Sequence, residues 1–273
     1  MTNPLSGIFP SLGRTVLVTG TDTDVGKSYA TAALAVAGWY AGRRRIAVYK
    51  PQQTGMRGDD PGDVQDGARL VRAAGVPSGA LTIAEGQRLS EPMAPPPAAA
   101  IDRVELLPIT AHVAKIVDLQ KSHDLVLVEG SGGVLVELDG DRHTIADLAV
   151  ALQGMAPRGA AHQWPVNQGP ASVGRADARQ AGGSILGTVG PAPVSTVLVA
   201  RPDLGTLNHT LLSLEALQRR GVNVAGVVLG SWPAEPDRLH TSNRQYLADL
   251  PPLDGHRIPL LGAVPQGWGH GSR

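Results

Sequence analysis

The chain has 273 residues, enough to bury a large core as one domain. Its 24 Lys and Arg balance 24 Asp and Glu, so no net field draws nucleic acid or an anionic membrane, and the lack of cysteine excludes disulfides, thiolate metal sites and a cysteine nucleophile. No segment reaches 18 uninterrupted apolar residues and residues 1–13 lack the basic start and apolar core of a secretory signal, so a soluble cytoplasmic protein is expected.

Residues 1–13, rich in Pro, Ser and Gly, are expected to form a flexible leader to one domain over 14–273. Continuous apolar runs predict buried strands at Thr15–Thr19, Arg45–Tyr49, Asp124–Val128, Ser195–Ala200, Ala225–Leu229 and Leu260–Ala263. Segments 27–42, 62–75, 104–121 and 206–220 carry helical spacing. That alternation predicts a doubly wound α/β fold: a mostly parallel sheet flanked by helices in three layers, with ligands at the carboxyl ends of the strands. Residues 153–192 break both periods and are dense in Gly, Ala, Pro and Gln, with Asp177 as the single acid. They are expected to be a mobile, low-complexity insertion; a lid or partner-binding loop is the alternative.

The sharpest motif is Gly20-Thr21-Asp22-Thr23-Asp24-Val25-Gly26-Lys27-Ser28, between the first strand and the first helix. A Gly-bearing turn in that place aims backbone N–H groups at an anion, the setting of a phosphate-binding loop. Lys27 would add a point charge at the terminal phosphates, and Ser28 a hydroxyl for the accompanying magnesium. The spacing departs from the common form, because Thr21 stands where the first Gly usually does. A turn without a ligand is the plain alternative.

Lys27 and Lys50 are two of only four lysines in the chain. Lys50 is expected as the last residue of the second strand, with Pro51 ending the ladder, and would point into the same crevice. In Asp59-Asp60-Pro61-Gly62-Asp63 any Asp would serve as a helix cap, and Asp63 is best placed to reach magnesium instead. Glu129 ends an apolar strand ahead of Gly130-Ser131-Gly132-Gly133; a carboxylate there is costly unless a cation is near. Asp203 to Thr210 opens a helix whose free N–H groups favour a carboxylate, unless Thr206 or Asn208 simply caps it. His112, His123 and His143 show no metal-ligand spacing and are expected at the surface.

Four segments in this order, Gly-Thr-Asp-Thr-Asp-Val-Gly-Lys-Ser, Lys-Pro-Gln-Gln-Thr-Gly, Val-Glu-Gly-Ser-Gly-Gly-Val-Leu-Val and Asp-Leu-Gly-Thr-Leu-Asn-His-Thr, resemble the dethiobiotin synthetase family of phosphate-loop ligases. The resemblance covers about 14–152 and 193–265. It implies a seven-stranded, mostly parallel sheet and a homodimer. It also implies ATP- and Mg2+-dependent closure of 7,8-diaminononanoate and CO2 to dethiobiotin, through a carbamate and a carbamic-phosphoric anhydride. Carried over by motif, Thr21, Asp22, Thr23, Asp24, Val25, Gly26, Lys27 and Ser28 would wrap the nucleotide, with Glu129 and Gly132 beside it. Ser28, Asp63 and Glu129 would hold magnesium. Lys50 would neutralise the carbamate and the transferring phosphoryl group. Thr21 and Thr54 would meet the diamine; Gly205, Leu207 and Asn208 of the neighbouring subunit would receive the substrate carboxylate; Pro265, Gln266 and Gly267 would skirt the base.

Three departures from the pattern stand out. Leu229 is followed by Gly230-Ser231-Trp232-Pro233, where many members carry an adenine-reading Asn, so other nucleoside triphosphates stay open. The insertion precedes the subunit-contact segment, and little chain follows Pro265. Partitioning-type ATPases, with a signature lysine where Asp22 stands, and corrin amidotransferase-like enzymes, which need a cysteine, are the alternatives, together with a non-catalytic relative.

Overall fold

In the computed structural model, which describes residues 3–9, 11–154, 194–253 and 255–269, seven strands form one parallel sheet in the order β3-β2-β4-β1-β5-β6-β7. The strands are β1 Thr15–Gly20, β2 Ile46–Gln53, β3 Leu81–Arg88, β4 Leu125–Gly133, β5 Val194–Ala200, β6 Val224–Trp232 and β7 Leu260–Pro265. The helices are α1 Lys27–Tyr40, α2 Asp63–Ala73, α3 Pro95–Asp102, α4 Ile109–Ser122, α5 Ile145–Gly154, α6 Thr206–Arg219 and α7 Arg238–Ala248. One core packs α1 and α2 on one sheet face, through Ala30, Leu34 and Val64. The other packs α4 to α7 on the opposite face, through Ile116, Leu148, Leu214 and Leu247. This is the expected three-layer α/β/α fold.

The six expected strands are all present, and β3 is added at the sheet edge. It is mostly half-buried and carries Glu85, Gly86, Gln87 and Arg88, so neither an apolar run nor a clean alternation marks it. The helix expected over 104–121 begins only at Ile109, and a separate α3 precedes it, started by Pro95 and Pro96. The second strand does not end at Lys50. Its pairing with β4 stops at Tyr49, but its pairing with β3 runs on to Gln53 and Arg88. Pro51, with no N–H to donate, is thus tolerated inside the strand.

The leader is not loose where it is described. Leu5, Ile8, Phe9 and Leu12 are buried in the core on the α1 face. Gly13 N–H donates to Ser195 Oγ at 3.0 Å. Gly38 in α1 leaves room for Phe9 and Leu125, and Gly262 in β7 leaves room for Leu5. Of the expected insertion at 153–192, only Gln153 and Gly154 are described; they close α5, and the rest lies outside the described residues.

Candidate active site

Gly20, Lys50 and Glu129 lie toward the carboxyl ends of neighbouring strands, because β1 sits next to β4, and β4 next to β2. After β1 the chain turns through Asp24, at φ 57°, and Gly26, at φ 91°, into α1. A Cβ at Gly26 would sit 3.1 Å from the Gly230 Cα and the Ser231 Oγ, so the loop is seated against the end of β6. No side chain caps α1 and its first turn has no acid, which leaves its N–H groups to an anion.

Lys27 is buried, with Nζ donating to the Asp22 carbonyl at 2.9 Å. Burial, then the nearby charge of Lys50, lowers its pKa. Lys50 is 3% exposed, and its Nζ lies 2.8 Å from Glu129 Oε1 and 2.5 Å from Asp63 Oδ2. Burial alone would depress the Lys50 pKa; the two carboxylates outweigh it and hold it above the usual lysine range. Burial would raise the Asp63 pKa, but the Lys50 charge and hydrogen bonds from Lys50 and Gln53 bring it below the usual range. Asp63 is therefore not the helix cap. Gly62 holds the cap position, and the Asp63 backbone N–H is taken by Gln53 Oε1 at 3.0 Å. Ser28 Oγ donates to Glu129 Oε1 at 2.8 Å. One hydroxyl and two carboxylates thus converge, a hard oxygen set of the kind magnesium takes.

These groups floor a cleft of about 1080 Å³. Thr23, Asp24, Gly26, Lys27, Ser28, Lys50, Thr54, Asp63, Glu129 and Gly132 all line it. Met56, Pro92, Met93 and Val136 give it an apolar wall that motif reading did not single out. Two buried ammonium groups and uncapped helix amides, together with an apolar wall, suit a polyanion beside an alkyl chain.

Other expected residues stand outside that lining. Val25 is fully buried in the core. Asp22 is turned to Arg201, with Oδ2 2.9 Å from its guanidinium, and accepts from Thr23 N–H. Thr21 Oγ1 is buried beside the loop with no hydrogen-bond partner among the described residues. Gly205, Leu207 and Asn208 are at the start of α6. Gly205 and Asn208 are exposed; Gly205, at φ 90°, holds the cap position without any side-chain cap, so neither Thr206 nor Asn208 caps the helix. Pro265, the last residue of β7, and Gln266 and Gly267 after it are exposed, and Gln266 N–H donates to the Trp232 carbonyl. The surface placement expected for His112 is wrong: it is fully buried.

Residues 14–154 and 191–267 match the family described as AAA domain. The chain is 40% identical to the ATP-dependent dethiobiotin synthetase BioD of Rhodococcus erythropolis over 93% of its own length and 88% of that protein's. The chain belongs to the dethiobiotin synthetase family. The enzyme of the same name from Streptomyces avermitilis is 40% identical, over 93% of this chain and 84% of its own. That from Rhodococcus jostii is 38% identical, over 93% and 87%. Among solved structures, the BceF tyrosine kinase domain aligns over 78% of this chain and 67% of its own at 17% identity and a TM-score of 0.41.

Two contacts in this synthetase relative had no sequence signal specific enough to find them. Arg201, one residue past β5, ties the phosphate loop to the segment that opens α6. Gln53 reaches from β2 to the first N–H of α2 and so sets Asp63. A basic residue and a glutamine at strand ends are visible in sequence; their partners are not.

Proposed function

We propose that this protein closes the ureido ring of dethiobiotin from 7,8-diaminononanoate, CO2 and ATP, with residues 14–273 acting as one ligase domain. The observation that carries this reading is the Lys27–Lys50–Glu129–Asp63 cluster, set under a phosphate loop in a chain 40% identical to enzymes of that name. One amine of the substrate takes up CO2 as a carbamate. A carbamate oxygen attacks the γ-phosphorus of ATP, the bond to ADP breaks, and a carbamic-phosphoric anhydride results. The second amine attacks the anhydride carbonyl, phosphate leaves, and the ring closes.

The protein's part is positioning and charge neutralisation. The α1 amides and Lys27 hold the β- and γ-phosphates. Lys50, held on Glu129 and Asp63, stands where negative charge gathers during transfer. Thr54 and Asp24 line the cleft and would face the diamine and the loop side, and Thr21, buried beside the loop, would meet the diamine only after a local shift. Ser28, Asp63 and Glu129 would hold Mg2+. When bound, the ion screens the phosphate charge. The alkyl chain lies along Met56, Met93 and Val136.

Besides Lys27 and Lys50, the cation lining the cleft is Arg69, and it is paired with Asp66. Gly205, Leu207 and Asn208, at an uncapped helix start, offer the substrate carboxylate amides from a second copy, so we assign a homodimer with a shared site. Pro265, Gln266 and Gly267 lie on the base side. No described helix is long and apolar enough to cross a membrane. A run with ¹⁸O-labelled bicarbonate tests the reaction: one label atom is expected in the released phosphate. Unlabelled phosphate alongside labelled dethiobiotin would overturn the carbamate-attack route.

A further inference from the structure

On the opposite sheet face, directly behind Lys50, lies a buried polar cluster that the chemistry above does not use. Tyr49, the residue before Lys50, is 1% exposed, and its hydroxyl lies 2.7 Å from Nδ1 of His112 in α4. His112 is 0% exposed, and its ring also hydrogen-bonds the Leu107 carbonyl just ahead of α4. Its Nε2 lies 3.5 Å from the side-chain nitrogen of Gln52. Burial drives the His112 pKa down to about 4, so the ring is neutral at ordinary pH. Gln52, two residues past Lys50, is likewise fully buried, and its Nε2 donates to the Leu138 carbonyl at 2.8 Å. Its own carbonyl accepts from Ser131 Oγ at 2.6 Å, in the turn that follows Glu129.

The end of β2 is therefore fastened on both sides of Lys50. Tyr49 holds it to α4, and Gln52 holds it to the end of β4 and to the segment that follows. Packing makes the cluster tight. A Cβ on Gly86, in the neighbouring β3, would run into the Pro51 carbonyl, come 2.7 Å from the Tyr49 hydroxyl and 2.9 Å from His112 Cε1. Buried hydrogen bonds from Tyr49 to His112 and from Gln52 to the Leu138 carbonyl favour one arrangement of the elements they join.

We propose that His112 is a positioning residue for Lys50: through the Tyr49 hydroxyl it fixes the end of β2, so that the Lys50 ammonium stays on Glu129 and Asp63. The consequence for turnover rests on the ligase reading; the consequence for geometry does not. Tyr49→Phe removes one oxygen and keeps the ring. It is expected to lower kcat about tenfold while the KM for ATP stays within about twofold, since a small displacement of a charge at the reacting centre costs rate more than binding. His112→Phe is expected to match it, and His112→Asn, which offers an acceptor near the place of Nδ1, to recover to within about threefold of the parent. Thermal melts run beside the kinetics establish that each variant is folded in the assay; if His112→Phe is not, Tyr49→Phe carries the test.

A folded Tyr49→Phe with the parent kcat would overturn the proposal, as would a failure of His112→Asn to exceed His112→Phe. Crystal structures of the parent and Tyr49→Phe give a second reading that needs no turnover. Lys50 Nζ drawn away from Glu129 is expected; Lys50, Glu129 and Ser131 unmoved would overturn the positioning role. If the parent makes no dethiobiotin, the ligase reading fails, and this structural pair still decides the matter.

Discussion

At the scale of single residues, charge is concentrated on one lysine. Lys50 is almost wholly buried and compensated by two carboxylates, one of them 1% exposed. Lys50→Ala is expected to reduce dethiobiotin formation by at least about a thousandfold while nucleotide still binds, read by turnover and calorimetry, if the charge acts, as proposed, on the transferring group. Glu129→Gln is expected to raise the Mg2+ concentration needed for half-maximal rate; superimposable metal titrations would remove Glu129 from the metal set. The pH dependence of stability has a defined sign. Lys50, raised above 10.5, stabilises the fold below that pH and loses the contribution as pH climbs through its folded value. Asp63, lowered below 3.8, stabilises above that pH and loses the contribution as acid passes its folded value. His112 works the other way from Lys50. Its folded pKa of about 4 lies below its usual 6.5, so the unfolded chain takes up the proton first and stability falls as pH drops between those values. The loss is up to about 3 kcal/mol, and His112→Phe should flatten that limb of a denaturant-midpoint curve against pH.

At the scale of elements, a strand was legible where it is covered on both faces. β1, most of β4 and β5 are buried throughout, and so read as continuous apolar runs. β3 is an edge strand of mixed exposure around Gly86 and escaped that reading. The leader was misjudged for a related reason. Leu5, Ile8, Phe9 and Leu12 dock on α1 and the end of the sheet, but Pro, Ser and Gly between them hide any period. Leu12→Ala is expected to cost about 2–4 kcal/mol in urea unfolding, as for a filled core site. A cost below about 0.5 kcal/mol would mean the segment is dispensable to the core. The phosphate loop was legible because its residues are consecutive. Its seat was not, since Gly26 meets Gly230 and Ser231 some two hundred positions along the chain. Gly26→Ala is expected to weaken ATP binding by about tenfold or more, because an alanine there is strained at φ 91° and crowds β6.

At the scale of the whole molecule, one chain supplies the two buried lysines, the Ser28, Asp63 and Glu129 oxygens and the apolar wall of the cleft. The α6 start that carries Gly205 and Asn208 is exposed and stands apart from the cleft lining, with Leu204 82% exposed beside it. Motif order pointed to both halves, but no sequence pattern gives the distance between them. If two copies complete the site, Lys50→Ala and a variant blocked at Asn208 should each be inactive alone. Mixed and allowed to exchange subunits, they should recover about a quarter of the parent activity, since half the dimers are hybrids with one intact site of two. No recovery, with exchange shown by mass, would place the whole site in one chain.

The central claim is the reaction itself. Purified protein is incubated with 7,8-diaminononanoate, bicarbonate, Mg2+ and ATP, each left out in turn, and dethiobiotin is measured by mass spectrometry. Product that requires all four components, and that disappears with Lys50→Ala, is the expected result. Nucleotide binding without product in the complete mixture would contradict it.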